Sequence, residues 1–392
     1  MTDTRKVKIL LASAATTTVL GSIHAFSIFV PGWERVLVAS RAEVSLIYSI
    51  ALISLTAAVL YGHRVYSRCS PSSMFALVGG VAALGLYLSA HSTNLYFLYL
   101  TYGVIFGAAN GLGYGYSLHL SGQAMPSRRG FAMGVVTAFY AVGATAAPVL
   151  FGLLITRGGN SLALAVCAAI VLGTLLFASM LLRDAGIRFK SEVASAVQPL
   201  SAAQRKLRLL FWFAYGSAVI AGLMVISHAY GIATWLQLNA SLAIWATTMV
   251  AFGNMLGGFS AGYLADRIAS RTVLIILPLL TMIGLLLLLV LSARSGSTWV
   301  IPIAVLSLVG YCYGALIAVY PVAITRAFGE LAAPRIYGQI FTAWGLAGLL
   351  APWISGFVFD RGGSYRFAIG MALVLAVMSA LIVARSQLEP AN

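Results

Sequence analysis

Long apolar runs, interrupted only by scattered glycines and small polar residues, alternate with short polar breaks from residue 8 to residue 384. Each run has the roughly 20 residues an α-helix needs to cross the hydrocarbon of a bilayer. The pattern predicts twelve spans, at about 8–31, 43–63, 72–90, 95–121, 131–156, 162–182, 209–235, 242–264, 272–292, 299–324, 335–359 and 366–384. The first run is too long for a cleavable leader, and a second follows at once, so it predicts a span rather than a signal peptide. The only long polar stretch after the N-terminus, 183–208, separates six runs from six. The expected organisation is an all-α membrane protein: a six-helix bundle over 1–182, a cytoplasmic linker over 183–208 and a second bundle over 209–392.

The two halves share a repeat. "APVLFGLLITRGG" at 147–159 reappears as "APWISGFVFDRGG" at 351–363, 204 positions later. The same offset carries Gly134 to Gly338, the "HAFSI" that begins at His24 to the "HAYGI" that begins at His228, and Tyr116 to Tyr320. These positions fall in spans 5 and 11, 1 and 7, and 4 and 10. An even number of spans per half makes them parallel repeats about an axis along the membrane normal. Gly134, Gly143 and Gly152 are expected to let helices approach closely. Pro148 and Pro352 are expected to bend their spans.

Composition agrees with the pattern. Hydrophobic residues make up 61% of the 392 and charged residues only 8%, against about 25% charged in a soluble domain. The net charge of +15 first suggests nucleic acid, but its placement does not. With the N-terminus in the cytoplasm, eighteen of the twenty-four Lys and Arg lie on that side and six lie outside. That is the positive-inside asymmetry. It predicts a multi-pass protein of the plasma (bacterial inner) membrane with both termini cytoplasmic, touching lipid rather than nucleic acid. Cys69, Cys167 and Cys312 are too few and too scattered for a disulfide framework or a zinc site. There is no HExxH, no paired mid-membrane carboxylates and no phosphate-binding loop. An enzyme, a cofactor and ATP drive are therefore not expected, and an ion or solute gradient must power any cycle. No tail or loop exceeds roughly 25 residues, which disfavours a membrane sensor. A monomer is expected.

"GYLADRIASR" at 262–271 resembles the Gly-x-x-x-Asp-Arg-x-x-x-Arg signature of the major facilitator superfamily. Span count, central linker and parallel repeat extend the resemblance over the full length. The resemblance implies that Gly262, Asp266, Arg267 and Arg271 gate the cytoplasmic side as a charge lock. The first half keeps the glycine and the bases in "GHRVYSR" at 62–68, but Tyr66 stands where the acid belongs, so its lock is expected to be weak. Within the superfamily, "MPSRRGFAMGVVTAFYAVGA", "AGLMVISHA" and "YGQIFTAWGLAGLLAP" are similar to the oxalate/formate-exchanger and monocarboxylate-transporter branch.

Spans 1, 4, 7 and 10 line a central cavity in that superfamily, and polar side chains there are functional candidates. Tyr102, Phe106, Asn110 and Tyr114 step by four along span 4, so one helix face presents them. Tyr114 falls where the branch has a substrate-contacting tyrosine. His24 and His228 are repeat mates, and histidine's ordinary pKa of about 6.5 suits proton coupling. The candidate binding set is His24, Asn110, Tyr114, His228, Asn254, Tyr320 and Trp344, with His24 and His228 also coupling protons. The departures are informative. The branch's carboxylate-gripping arginine, four residues after Asn254, is Gly258, and the exchangers' lysine of span 11 is Trp344. No charged residue lies at the centre of a span, so a dianion would be underpaired. The expected function is secondary transport, by alternating access, of a small organic solute, first a monocarboxylate moved with a proton. The alternatives are an uncharged or chelated amphipathic compound such as a drug or siderophore, or a soft metal held by Met224 and His228 at i, i+4. No resident metal is expected.

Overall fold

The computed structural model describes residues 3–66, 68–183, 200–293, 298–329 and 332–386. The chain divides into two compact units, Met1–Val193 and Ala194–Asn392. The division falls inside the polar stretch 183–208.

In the first unit α1 (Asp3–Leu20) passes into a 3-10 stretch (Gly21–Ile28) and then α2 (Val30–Leu37). Next come α3 (Arg41–Tyr61), the short α4 (His63–Tyr66) and α5 (Pro71–Ala90). The fourth span is composite: α6 (Leu95–Leu98), a π-helical stretch (Tyr99–Phe106) and α7 (Gly107–Ala124). A single-turn 3-10 segment (Pro126–Arg128) leads into α8 (Arg129–Arg183). In the second unit follow α9 (Ala202–Trp235), α10 (Ala240–Arg267), α11 (Ser270–Leu291), α12 (Val300–Phe328), α13 (Ala333–Gly362) and α14 (Arg366–Arg385). The starts are written locally. Ser40 and Glu43, and Ser201 and Gln204, close reciprocal capping boxes, which satisfy amide donors that a helix start leaves unpaired.

Eleven helices among the described residues are long and apolar enough to cross a membrane. One of them, Phe131–Arg183, has 53 residues and would measure about 80 Å as a straight helix, far beyond a ~30 Å hydrocarbon core. Its helical dihedrals fail at Gly158 and at Gly159, where φ is 65°, a value that glycine adopts readily. The fifth and sixth spans therefore share one assigned helix, and the architecture is the expected twelve crossings.

Helix pairing repeats between the units. In the first, α1 packs on the early part of α8, α3 on α7, and α5 on the late part of α8. In the second, α9 packs on α13, α10 on α12, and α11 on α14. These are the same span pairs displaced by six, as the sequence repeat requires.

The closest approach in the first unit joins α1 to α8. A Cβ on Gly143 would stand 1.6 Å from the Thr18 carbonyl oxygen, and one on Gly21 would stand 2.0 Å from the Tyr140 carbonyl oxygen. Small residues here set the helix separation. Gly134 and Gly338 face open space instead, which corrects the expectation that Gly134 serves packing. The helices also run on through Pro148 and Pro352. The dihedral breaks lie at Gly158–Gly159 and at His228 (φ −122°, ψ 15°).

Candidate functional site

The two repeated histidines occupy irregular backbone. His24 lies in the 3-10 stretch after α1, and His228 is the kink of α9. Their surroundings differ. His24 is half-buried. Its Nδ1 shares a 2.7 Å hydrogen bond with the Tyr48 hydroxyl of α3, and its ring meets the edge of Tyr140 of α8, centroids 5.5 Å apart. Beside it, Tyr140 lies 5.0 Å from the ring of Tyr114, whose hydroxyl is 3.4 Å from Thr137 Oγ1. His24, Tyr114, Thr137 and Tyr140 keep exposed surface, whereas Tyr48, Phe26 and Asn110 are buried beneath them. Asn110 Nδ2 donates to the Leu20 carbonyl at 2.7 Å, and its Oδ1 accepts from the Tyr140 hydroxyl at 3.1 Å. One accessible imidazole, three hydroxyls and two ring faces thus meet within a single unit.

The span 4 series keeps its common direction despite the π-helical stretch. Tyr102 packs on Phe26, Asn110 reaches Leu20 and Tyr114 reaches Tyr140, all on α8 or the span 1 segment.

The candidates of the second unit are mostly inward. His228 is 2% exposed, with Nε2 2.8 Å from the Pro352 carbonyl and Nδ1 3.1 Å from the Tyr365 hydroxyl. A carbonyl only accepts, so Nε2 carries a proton and donates it to Pro352. Both ring nitrogens are engaged, so Met224 and His228 do not offer the ligand pair that a soft metal needs. Trp344 is buried, donates to the Tyr313 hydroxyl at 2.8 Å and stacks on Phe341. Tyr320 is fully buried against Tyr215, centroids 4.4 Å apart. Asn254 is half-buried where α10 crosses Gly314 of α12, whose Cβ would meet the Asn254 carbonyl. The structure therefore brings His24, Asn110 and Tyr114 together in one cluster and leaves His228, Tyr320 and Trp344 in the core of the other unit.

Tyr48, Thr137 and Tyr140 are the residues that sequence reasoning missed. The repeat held one signal: an offset of 204 carries Tyr140 to Trp344, a position already singled out in the other half. Tyr48 has no such mark, since its counterpart is Phe252.

At the signature motif, α10 continues through Arg267, while the surroundings of the Gly262 and Asp266 side chains lie outside the described residues. Arg267 and Arg271 are exposed, and Arg271 Nη2 donates to the Ala384 carbonyl in the last turn of α14, a favoured place for a cation. Arg326 Nη1 donates to Ser270 Oγ at 2.9 Å. In the first half, Tyr66 is buried (1% exposed) with its ring on Tyr116, centroids 5.2 Å apart. It serves as an aromatic wedge. Tyr66→Asp is accordingly expected to destabilise rather than to rebuild a lock, by about 3 kcal/mol or more from lost aromatic burial and a buried carboxylate. Thermal unfolding in detergent checks it, and an unchanged melting point would contradict the wedge.

The sequence profile described as Major Facilitator Superfamily matches residues 10–239 and 209–391. The chain is 25% identical to the Uncharacterized MFS-type transporter YhjX of Escherichia coli (strain K12), over 87% of this chain and 85% of that protein. It is 24% identical to Monocarboxylate transporter 13 of Rattus norvegicus, over 95% and 87% respectively. The crystal structure of a D-xylose–proton symporter superposes with a TM-score of 0.74 at 15% identity, covering 98% of each chain. A bacterial homologue of the human lysosomal transporter Spinster, inward-facing and unoccupied, gives 0.74 at 14% identity, covering 98% of this chain and 97% of that one. At such identities the structural likeness speaks for the fold, and the profile match speaks for descent: the chain is a multi-pass integral membrane transporter belonging to the major facilitator superfamily.

Proposed function

We propose that the protein is a monomeric, proton-coupled carrier of small, weakly acidic monocarboxylates, working by alternating access in the plasma (bacterial inner) membrane with both termini cytoplasmic. The observation that carries this reading is the His24 cluster: one titratable, accessible imidazole among hydroxyls and aromatic faces, with no fixed charge among the described residues bonded to it. A bare carboxylate there would be underpaired. A carboxylate that arrives with one proton shares it with the imidazole, so the loaded site has no net charge. Tyr114 and Thr137 supply hydroxyl donors, and the rings of Tyr140 and Tyr114 cover an apolar substrate body. The name of the rat relative, a monocarboxylate transporter, supports the same class. Gating by Gly262, Asp266, Arg267 and Arg271, and solute contacts from Asn254, belong to this proposal.

The test is uptake into proteoliposomes with an imposed gradient, acid outside. One-to-one coupling to one pH unit supports up to about tenfold accumulation. Wild-type protein is expected to approach that limit with a short-chain labelled acid, and His24→Gln to fall to simple equilibration. Uptake of acids that ignores the gradient, in wild type as in His24→Gln, would refute coupling. Gly258 and Trp344, where the branch has cations, favour a second reading, an uncharged or chelated amphipathic solute. A thermal-shift screen separates the two, because the true ligand raises the melting point by mass action.

A further inference from the structure

We infer that Asn110 is a positioning residue, which sets the backbone register that aims His24 at Tyr48, and not a substrate ligand. Its side chain is 0% exposed and both ends of its amide are engaged. The Leu20 carbonyl can only accept, which places Nδ2 there and leaves Oδ1 for the Tyr140 hydroxyl. Leu20 is the last residue of α1, and the 3-10 stretch begins at Gly21. In an α-helix the Leu20 carbonyl would take the amide N–H of His24 itself. In a 3-10 turn it takes the N–H of residue 23, which frees His24 from that bond. The Asn110 amide donates to this same carbonyl, so it stands at the change from one helix type to the other, four residues before the imidazole.

The length of the stretch shows that something outside it holds the geometry. It runs for eight residues, whereas 3-10 runs beyond three or four are uncommon. Gly21 lies against the Tyr140 carbonyl, so α8 presses on the same point from the other side. The repeat gives an internal comparison. An offset of 204 carries Asn110 to Gly314, so the second unit has no amide at this place. Its break falls on His228, whose own ring bonds the neighbouring helix. Where the amide is present the imidazole stays accessible, and where it is absent the imidazole is the structural peg.

The groups that face His24 are Tyr48 from α3 and Tyr140 from α8, and Cys167 of α8 meets Ser22, two residues earlier in the chain. No carboxylate, guanidinium or ammonium among the described residues bonds to it. The backbone position that Asn110 holds therefore sets how the ring is buried and how it meets the two tyrosines.

The functional consequence rests on the reading of His24 as the coupling group, but the positional claim is tested apart from it. The measurement is histidine-selective ¹⁵N NMR of the full-length protein in detergent, with the His24 signals identified by their loss in His24→Gln. Asn110→Leu, close in size and unable to bond Leu20, is expected to move the His24 ring resonances and to displace their titration midpoint by about half a pH unit or more. The pH profile of uptake should move by the same amount. Tyr140→Phe, which keeps the ring and the Asn110–Leu20 bond, should give the smaller displacement. If Asn110→Leu does not purify as a single species, Asn110→Ala removes both amide bonds without added bulk and carries the same readout. Unchanged His24 resonances in the Asn110 variant would overturn the inference. So would a raised KM with unchanged His24 signals, which would make Asn110 a ligand. If His24→Gln leaves proton coupling intact, the proposed mechanism falls while the NMR result still decides the role of Asn110.

Discussion

Gly143→Leu is expected to melt roughly 10 °C or more below wild type, while Gly134→Leu, nine residues earlier on the same helix, is expected to behave like wild type. The Cβ of any residue at 143 would lie 1.6 Å from the Thr18 carbonyl oxygen and 2.6 Å from its carbon, whereas nothing lies within 4 Å of one at 134. Overpacking against side chains costs about 1–3 kcal/mol because they can swing aside. Here the obstruction is backbone, so α1 and α8 must separate. Separation also loosens the Thr17 hydroxyl's 2.9 Å bond to the Val136 carbonyl and the Tyr140–Asn110 bond beyond it. A loss of about 3 kcal/mol or more is a large part of the 5–15 kcal/mol that holds a typical domain. It should lower the melting point by roughly 10 °C for a unit of this size. Size-exclusion profiles and thermal unfolding of the two variants in detergent make the comparison. A well-folded Gly143→Leu protein would show that the α1–α8 contact is not set by this glycine.

The reason the sequence pointed to spans 5 and 1 but not to their contact is physical. Apolar period and the 204-residue repeat depend on the bilayer and on duplication, and both are written in residue type. Twelve crossings, the two units and the correspondence of spans 1 and 5 with spans 7 and 11 follow from them. Which glycine touches a neighbour depends on helix rotation, and Gly134 and Gly143 look alike in a one-dimensional string. The same limit hid the irregular backbone. Nothing in "GSIHAFSI" demands a 3-10 stretch, because the demand comes from Asn110, ninety residues away, and from the Tyr140 carbonyl. Among the candidate site residues, His24, Asn110 and Tyr114 were legible because polar groups are costly in a membrane wherever they point. Their division into an accessible imidazole and a buried amide was not legible, since it is fixed by partners rather than by identity.

That division is sharpest between the repeated histidines, and it yields the second large effect. His228→Ala is expected to lower the melting point by about 10 °C, whereas His24→Ala should shift it by only a few degrees. Removing the His228 ring takes one hydrogen bond each from the Pro352 carbonyl and the Tyr365 hydroxyl, about 1 kcal/mol apiece, and it opens a cavity in a site 2% exposed. The sum is near 3–5 kcal/mol, and it falls where α9, α13 and α14 meet. His228→Gln should recover part of the loss, because a side-chain amide can still donate to the Pro352 carbonyl. His24 is half-buried and has one hydrogen bond to lose, so its removal should cost coupling before it costs stability. Thermal unfolding of the three variants, with gradient-driven uptake measured on each, separates the roles. The reverse result, a stable His228→Ala protein without proton coupling beside an unstable His24→Ala protein that still couples, would exchange the peg and the proton site between the units. The kink at His228 would then need another cause.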